Sequence, residues 1–118
     1  MEYDMWKMAV DGVTFHSSRL PPTKGCEPED LVQFKQELST AYLLLREVAD
    51  DVIYGRTYGS HMHSSAIREA ISKPLVISEE AAVEALRSTG VKKLWLATPY
   101  TAERAKEEAS TCLPRDFQ

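Results

Sequence analysis

Apolar residues recur at three- and four-residue steps through Leu31, Phe34, Leu38, Ala41, Tyr42, Leu45 and Val48, a spacing that predicts one long helix with a single buried face, ending near Ala49. Pro28 suits its first turn, and Glu27, Glu29 and Asp30 place negative charge at its positive end. Shorter patterns predict strands. Residues 12–17, Gly-Val-Thr-Phe-His-Ser, are rich in β-formers and run into the breakers Pro21, Pro22 and Gly25. Asp51-Val52-Ile53-Tyr54 is a compact apolar run that opens into a glycine- and serine-rich loop, as a buried parallel strand does. Lys73-Pro74-Leu75-Val76-Ile77 predicts another strand, and Lys92-Lys93-Leu94-Trp95-Leu96-Ala97-Thr98 a last one. Between them the pattern predicts one or two helical turns over residues 2–9 and a short helix over residues 64–71. A further helix is capped by Ser78, favoured by Glu79 and Glu80 in its first turn, apolar inside through Ala82, Val83, Ala85 and Leu86, and stopped at Gly90. A polar helix starts at Pro99 and runs to about Ser110, leaving residues 113–118 as a tail. Trp6 and Trp95 are expected in the core.

Strands alternating with helices call for an α/β fold: a parallel sheet with right-handed crossovers, flanking helices, and function at the carboxyl ends of the strands. Composition agrees, since 118 residues with 43% hydrophobic and 27% charged suit one globular unit with a core of moderate size. A net charge of -4, with lysines and arginines scattered among acids, offers no basic stripe and argues against nucleic acid as a partner. No run approaches the ~20 apolar residues of a membrane span, and Met1-Glu2-Tyr3-Asp4 lacks the basic-then-apolar order of a signal peptide, so the expected location is the cytoplasm, away from membranes. Cys26 and Cys112 stand far apart without zinc spacing and are expected to be free thiols.

Two loops follow predicted strands, and they hold the candidate chemistry. Gly55-Arg56-Thr57-Tyr58-Gly59-Ser60 combines glycines that let backbone amides converge, hydroxyls on Thr57 and Ser60, and an Arg56 guanidinium able to grip a carboxylate in bidentate fashion. The same composition also describes a tight strand-to-helix turn with Arg56 paired to a surface acid. His61 and His63, two apart on an extended segment, would share a side and could hold a metal, but no third ligand is evident and none is expected. His61 beside the loop is a candidate general acid or base; solvated or helix-capping roles compete with that one. In the second loop, Thr98-Pro99-Tyr100-Thr101, the proline would start a helix whose free amides face an anion while Tyr100 donates a hydrogen bond, ordinary capping being the alternative.

At these loops the chain resembles the aspartate/glutamate racemase superfamily, most closely its maleate cis-trans isomerase and arylmalonate decarboxylase branch. The resemblance runs through Met1-Glu2-Tyr3-Asp4-Met5-Trp6, Gly12-Val13-Thr14-Phe15-His16-Ser17-Ser18-Arg19-Leu20, the Tyr54 loop, Ala81-Ala82-Val83-Glu84-Ala85-Leu86 and Leu96-Ala97-Thr98-Pro99-Tyr100. It implies a Rossmann-like half of a two-domain fold: residues 1–91 as a first α/β domain without its opening strand, and residues 92–118 as the start of a second unit, strand plus helix, and tail. It also implies a cofactor-independent isomerase, racemase or decarboxylase of small carboxylic acids, with Arg56, Thr57, Tyr58, Gly59, Ser60 and Tyr100 binding substrate and loop donors stabilising an enediolate. Arg56 stands where two-cysteine members carry their first cysteine and cannot act as a thiolate, and Cys112 lacks the context of the second. Turnover is therefore open, with Arg56 and His61 as catalytic candidates. The competing reading is a non-catalytic carboxylate-binding or structural module, and a third is a shortened product of a longer gene. A sheet lacking a central strand leaves a bare edge and an uncovered apolar face, which predicts a homodimer, a higher oligomer or a partner chain.

Overall fold

The computed structural model describes residues 2–21, 28–56, 59–95 and 97–112. They form a mixed α/β unit of five helices and a small two-stranded parallel sheet: α1 Glu2–Met8, α2 Pro28–Leu43, β1 Val52–Tyr54, α3 Ser60–Ala70, β2 Leu75–Ile77, α4 Ser78–Ser88 and α5 Ala102–Cys112. Among the described residues no helix is long and apolar enough to cross a membrane.

α2 forms for the reason its spacing implies. Phe34, Leu38 and Tyr42 recur every four residues on one face and are all buried, with Leu31 packed at their edge. Past Leu43 the chain continues in helix-like turns, Arg46 N–H donating to the Tyr42 carbonyl at 2.9 Å and Ala49 N–H to that of Leu45 at 2.9 Å. Val48, expected on the inner face, lies outside, because the helix has already loosened there.

β1 and β2 pair in parallel, Val52 with Leu75, Ile53 with Val76 and Tyr54 with Ile77. Val52 and Tyr54 are buried and face α2, while Ile53 points the other way and is 54% exposed. The core closes with Ala66, Ile67 and Ile71 of the α3 region and Ile77 of β2. Tyr42 and Ser72 hydroxyls hydrogen-bond at 3.0 Å across the bottom of this core, so the partly polar ring of Tyr42 is buried with its oxygen satisfied.

Ser78, expected as a cap, is the first residue of α4; its hydroxyl instead donates to the Tyr54 carbonyl at 2.8 Å, tying α4 to the end of β1. Gly90 stops α4 as expected, in a left-handed conformation with φ 72°. The inner face of α4 is rotated from the predicted one: Glu79 is buried and Ala81, Val83 and Leu86 are half-buried, whereas Ala82 and Ala85 are exposed.

Two predicted strands are not strands. Residues 12–17 leave the Asp11–Gly12 turn without regular structure, and residues 91–95 are likewise irregular. Among the described residues neither stretch pairs with a neighbouring backbone, and β-propensity alone does not make a strand. Trp6 and Trp95 are accordingly not in the core: Trp6 is half-exposed against the edge of Phe15, and Trp95 is fully exposed. Leu96, the breaker residues 22–27 with Cys26, and the predicted tail 113–118 lie outside the described residues.

Candidate functional site

The carboxyl end of β1 is where parallel-sheet topology directs attention, and the local sequence explains its shape. After Tyr54 the chain leaves the sheet through Gly55 and Arg56 and re-enters regular structure at Gly59, whose φ of 74° only glycine adopts freely. That turn starts α3 at Ser60, four residues earlier than the predicted Ser64. Ser60 is 1% exposed and its hydroxyl donates to the Arg56 carbonyl, closing the turn from within. Thr57 and Tyr58 lie outside the described residues, as does the side chain of His61.

The early start of α3 changes the histidine geometry. Positions 61 and 63 sit on a helix, where two residues are about 200° apart, instead of on an extended segment that would put both rings on one side. His63 turns inward, its ring tilted 31° over Phe34 at 5.0 Å between centroids. Phe34 also meets the Tyr54 ring edge-on at 6.3 Å. His63, Phe34 and Tyr54 therefore form a short aromatic row, of which Phe34 and Tyr54 reach the site. Among the described residues no group of His, Cys, Asp or Glu is arranged to hold a metal ion.

Arg56 follows Tyr54 by two residues, and its guanidinium stands near enough to the Tyr54 phenol to act on it electrostatically. Burial pushes that phenol above its ordinary range; the adjacent guanidinium partly opposes the rise by its charge. Both residues line a cavity of about 580 Å³ that also takes in Arg19 and has apolar walls from Phe34, Leu38 and Val52. Arg19 was not singled out in the sequence; only its nearness to the predicted strand 12–17 could have pointed to it. The pocket thus joins two cationic side chains and a phenol to a greasy lining, which suits a small organic anion with an apolar part.

The second predicted loop does not join it. Tyr100 is half-buried, its backbone N–H donates to the Thr98 hydroxyl at 3.3 Å, and it lines neither this cavity nor the larger one beside it. Pro99 lies in a bend and does not begin the helix; α5 starts at Ala102, after Thr101 accepts from the Ala105 N–H at 2.9 Å. No family model matches the chain, and no curated protein matches it.

Proposed function

We propose that the chain binds a small carboxylic acid at the carboxyl end of β1, and that it represents one Rossmann-like half of an aspartate/glutamate racemase-type fold, related to cofactor-independent isomerases, racemases and decarboxylases. One observation carries the binding reading: Arg56 and Tyr54 line an apolar-walled cavity of about 580 Å³ together with Arg19. Two guanidinium groups at the rim supply bidentate donors, and the apolar walls strengthen the attraction by excluding water. Gly59 and Ser60 shape the turn that presents Arg56, and Thr57 and Tyr58 belong to the site through their place on the same loop. His61, directly after Ser60, is the candidate proton carrier.

The test is a titration with maleate, malonate and aspartate at fixed ionic strength, followed by the arginine Nε resonances and the near-ultraviolet tyrosine signal. The expected result is saturable binding that weakens by about 10- to 100-fold in Arg56→Ala, the scale of one charged hydrogen-bonding group. Silence across the panel would remove the reading. A second reading, a non-catalytic binding module, is favoured by Ser60: its hydroxyl proton is already given to the Arg56 carbonyl. Binding without consumption of any of these acids decides for the module.

A further inference from the structure

The free edge of β1 faces a gap, and the two sides of that gap ask for the same thing. On one side, Val52 N–H donates towards β2, to the Pro74 carbonyl at 2.9 Å. In a parallel ladder alternate residues turn their backbone groups to opposite edges, so the N–H and C=O of Ile53 face away from β2 and into the gap. On the other side run residues 14–18, whose backbone has no hydrogen-bond partner among the described residues. Between them lies a cavity of about 840 Å³, lined by residues 12–19 and by Val48, Asp50, Asp51 and Ile53. It adjoins the smaller cavity, the two sharing Ser18, Arg19, Leu45, Val52, Ile53 and Gly55. A small molecule cannot satisfy two facing backbones. An extended chain can, because it offers N–H and C=O on both edges at strand spacing.

Charge says which extended chain. The gap has Asp50 and Asp51 where β1 begins and Arg19 near where it ends. Residues 92–95 of this chain read Lys-Lys-Leu-Trp: two cations followed by apolar side chains. Among the described residues they have no backbone hydrogen-bond partner, Trp95 is 102% exposed, and none of them lines either of these two cavities of its own chain. Among the described residues, Asp50, Asp51, Lys92 and Lys93 have no ion-pair partner.

We infer that a second copy of this chain inserts its segment beginning at Lys92 into the gap beside β1, parallel to it, with Lys92 and Lys93 at Asp50 and Asp51. The exchange is reciprocal, so it closes as a twofold pair. It satisfies Ile53 and residues 14–18, and it covers Val13, Val48 and Trp95, all now exposed. Parallel insertion also carries the end of the segment to the Gly55–Arg56 turn, which delivers Tyr100 of the partner subunit to the carboxylate pocket. That last step rests on the carboxylate reading; the strand exchange does not.

The experiment uses two charge-reversed chains, Asp50→Lys with Asp51→Lys, and Lys92→Asp with Lys93→Asp. Wild type is expected to sediment as a dimer. Each reversed chain alone faces like charges across the gap and dissociates at least about tenfold more readily. An equimolar mixture restores the dimer, because both of its gaps then pair opposite charges. Hydrogen exchange at the Ile53 amide should slow, and Trp95 emission should shift to the blue, in the dimer only, with Trp6→Phe as the background that isolates Trp95. A wild type that stays monomeric at several hundred micromolar overturns the inference, and so does a dimer indifferent to both reversals, or Ile53 protection independent of concentration. These readouts need no ligand, so silence in the malonate titration leaves them standing and a monomeric chain leaves the titration standing.

Discussion

Phe34 joins the stability of the fold to the shape of the site, and truncating it tests both. The side chain is 3% exposed, meets the Tyr54 ring edge-on at 6.3 Å and lies under the His63 ring at 5.0 Å. Phe34→Ala removes a fully buried ring and leaves a cavity between α2 and β1, a change that costs about 3–5 kcal/mol. Of this, about 0.5–1.5 kcal/mol belongs to the edge-to-face contact with Tyr54. Against a total stability of about 5–15 kcal/mol for a domain, the loss is about a fifth at the least and nearly the whole at the most. At a urea slope of about 2 kcal/mol per molar, the unfolding midpoint followed by circular dichroism should fall by about 1.5–2.5 M. Phe34→Leu keeps most of the volume and loses the ring contacts, so it should cost about 1–1.5 kcal/mol. The variants should also draw the Tyr54 phenol back towards its ordinary range, because the ring that helps bury it is gone. A Phe34→Ala chain within 1 kcal/mol of wild type, with Tyr54 titrating as before, would refute the claim that this aromatic row holds the site.

Other outcomes follow from single residues. Burial raises the Tyr54 phenol above its ordinary value of 10.0, so the folded state holds this proton more tightly than the unfolded chain does. The associated stability is whole below pH 10 and is lost as pH climbs through the raised value; Tyr54→Phe should flatten this alkaline loss in melts followed from pH 9 to 11. Gly59 has φ 74° at the start of α3, and Gly59→Ala should cost about 1–2 kcal/mol in urea unfolding, with a smaller cost showing that the turn relaxes. Glu69 is held below its ordinary 4.5 chiefly by the Lys35 hydrogen bond and then by Ser65. Its contribution is present above that value and lost as pH falls below it, and Lys35→Met should bring the carboxyl back up in a carbon-13 titration.

Helices were legible in the sequence because their evidence is local. The four-residue step of Phe34, Leu38 and Tyr42, the acids at the start of α4 and the glycine after it all act within a few positions, and the folded chain keeps them. Strands were legible only where two runs could meet. Val52–Tyr54 and Leu75–Ile77 are joined by α3, a crossover that returns the chain beside itself, and they pair. Residues 12–17 have comparable β-propensity but pair with no strand among the described residues. In the site, Arg56, Gly59 and Ser60 were found from composition, yet the roles shifted: Ser60 closes the turn from inside, and Gly59 starts the helix early enough to separate His61 from His63. Arg19 was hidden because its nearness to Arg56 depends on how residues 12–21 pass over α2 and β1.

Among the described residues β1 pairs along one edge only, and this bears on how the site is built. A parallel strand with a neighbour on one side only leaves half of its backbone groups to water, and in this chain that cost falls at Ile53, next to the pocket. An edge exposed in this way either stays hydrated, in which case Arg56 and Tyr54 lie beside an open channel and any bound anion is weakly held, or it is covered, in which case the same pocket becomes drier and its two guanidinium groups act more strongly. Carboxylate affinity is therefore expected to rise with protein concentration if the edge is covered by a second copy, and to be independent of it if the edge stays bare. Malonate titrations at 5 µM and at 500 µM chain would separate the two states, since the ligand itself is the same in both and only the water beside β1 differs.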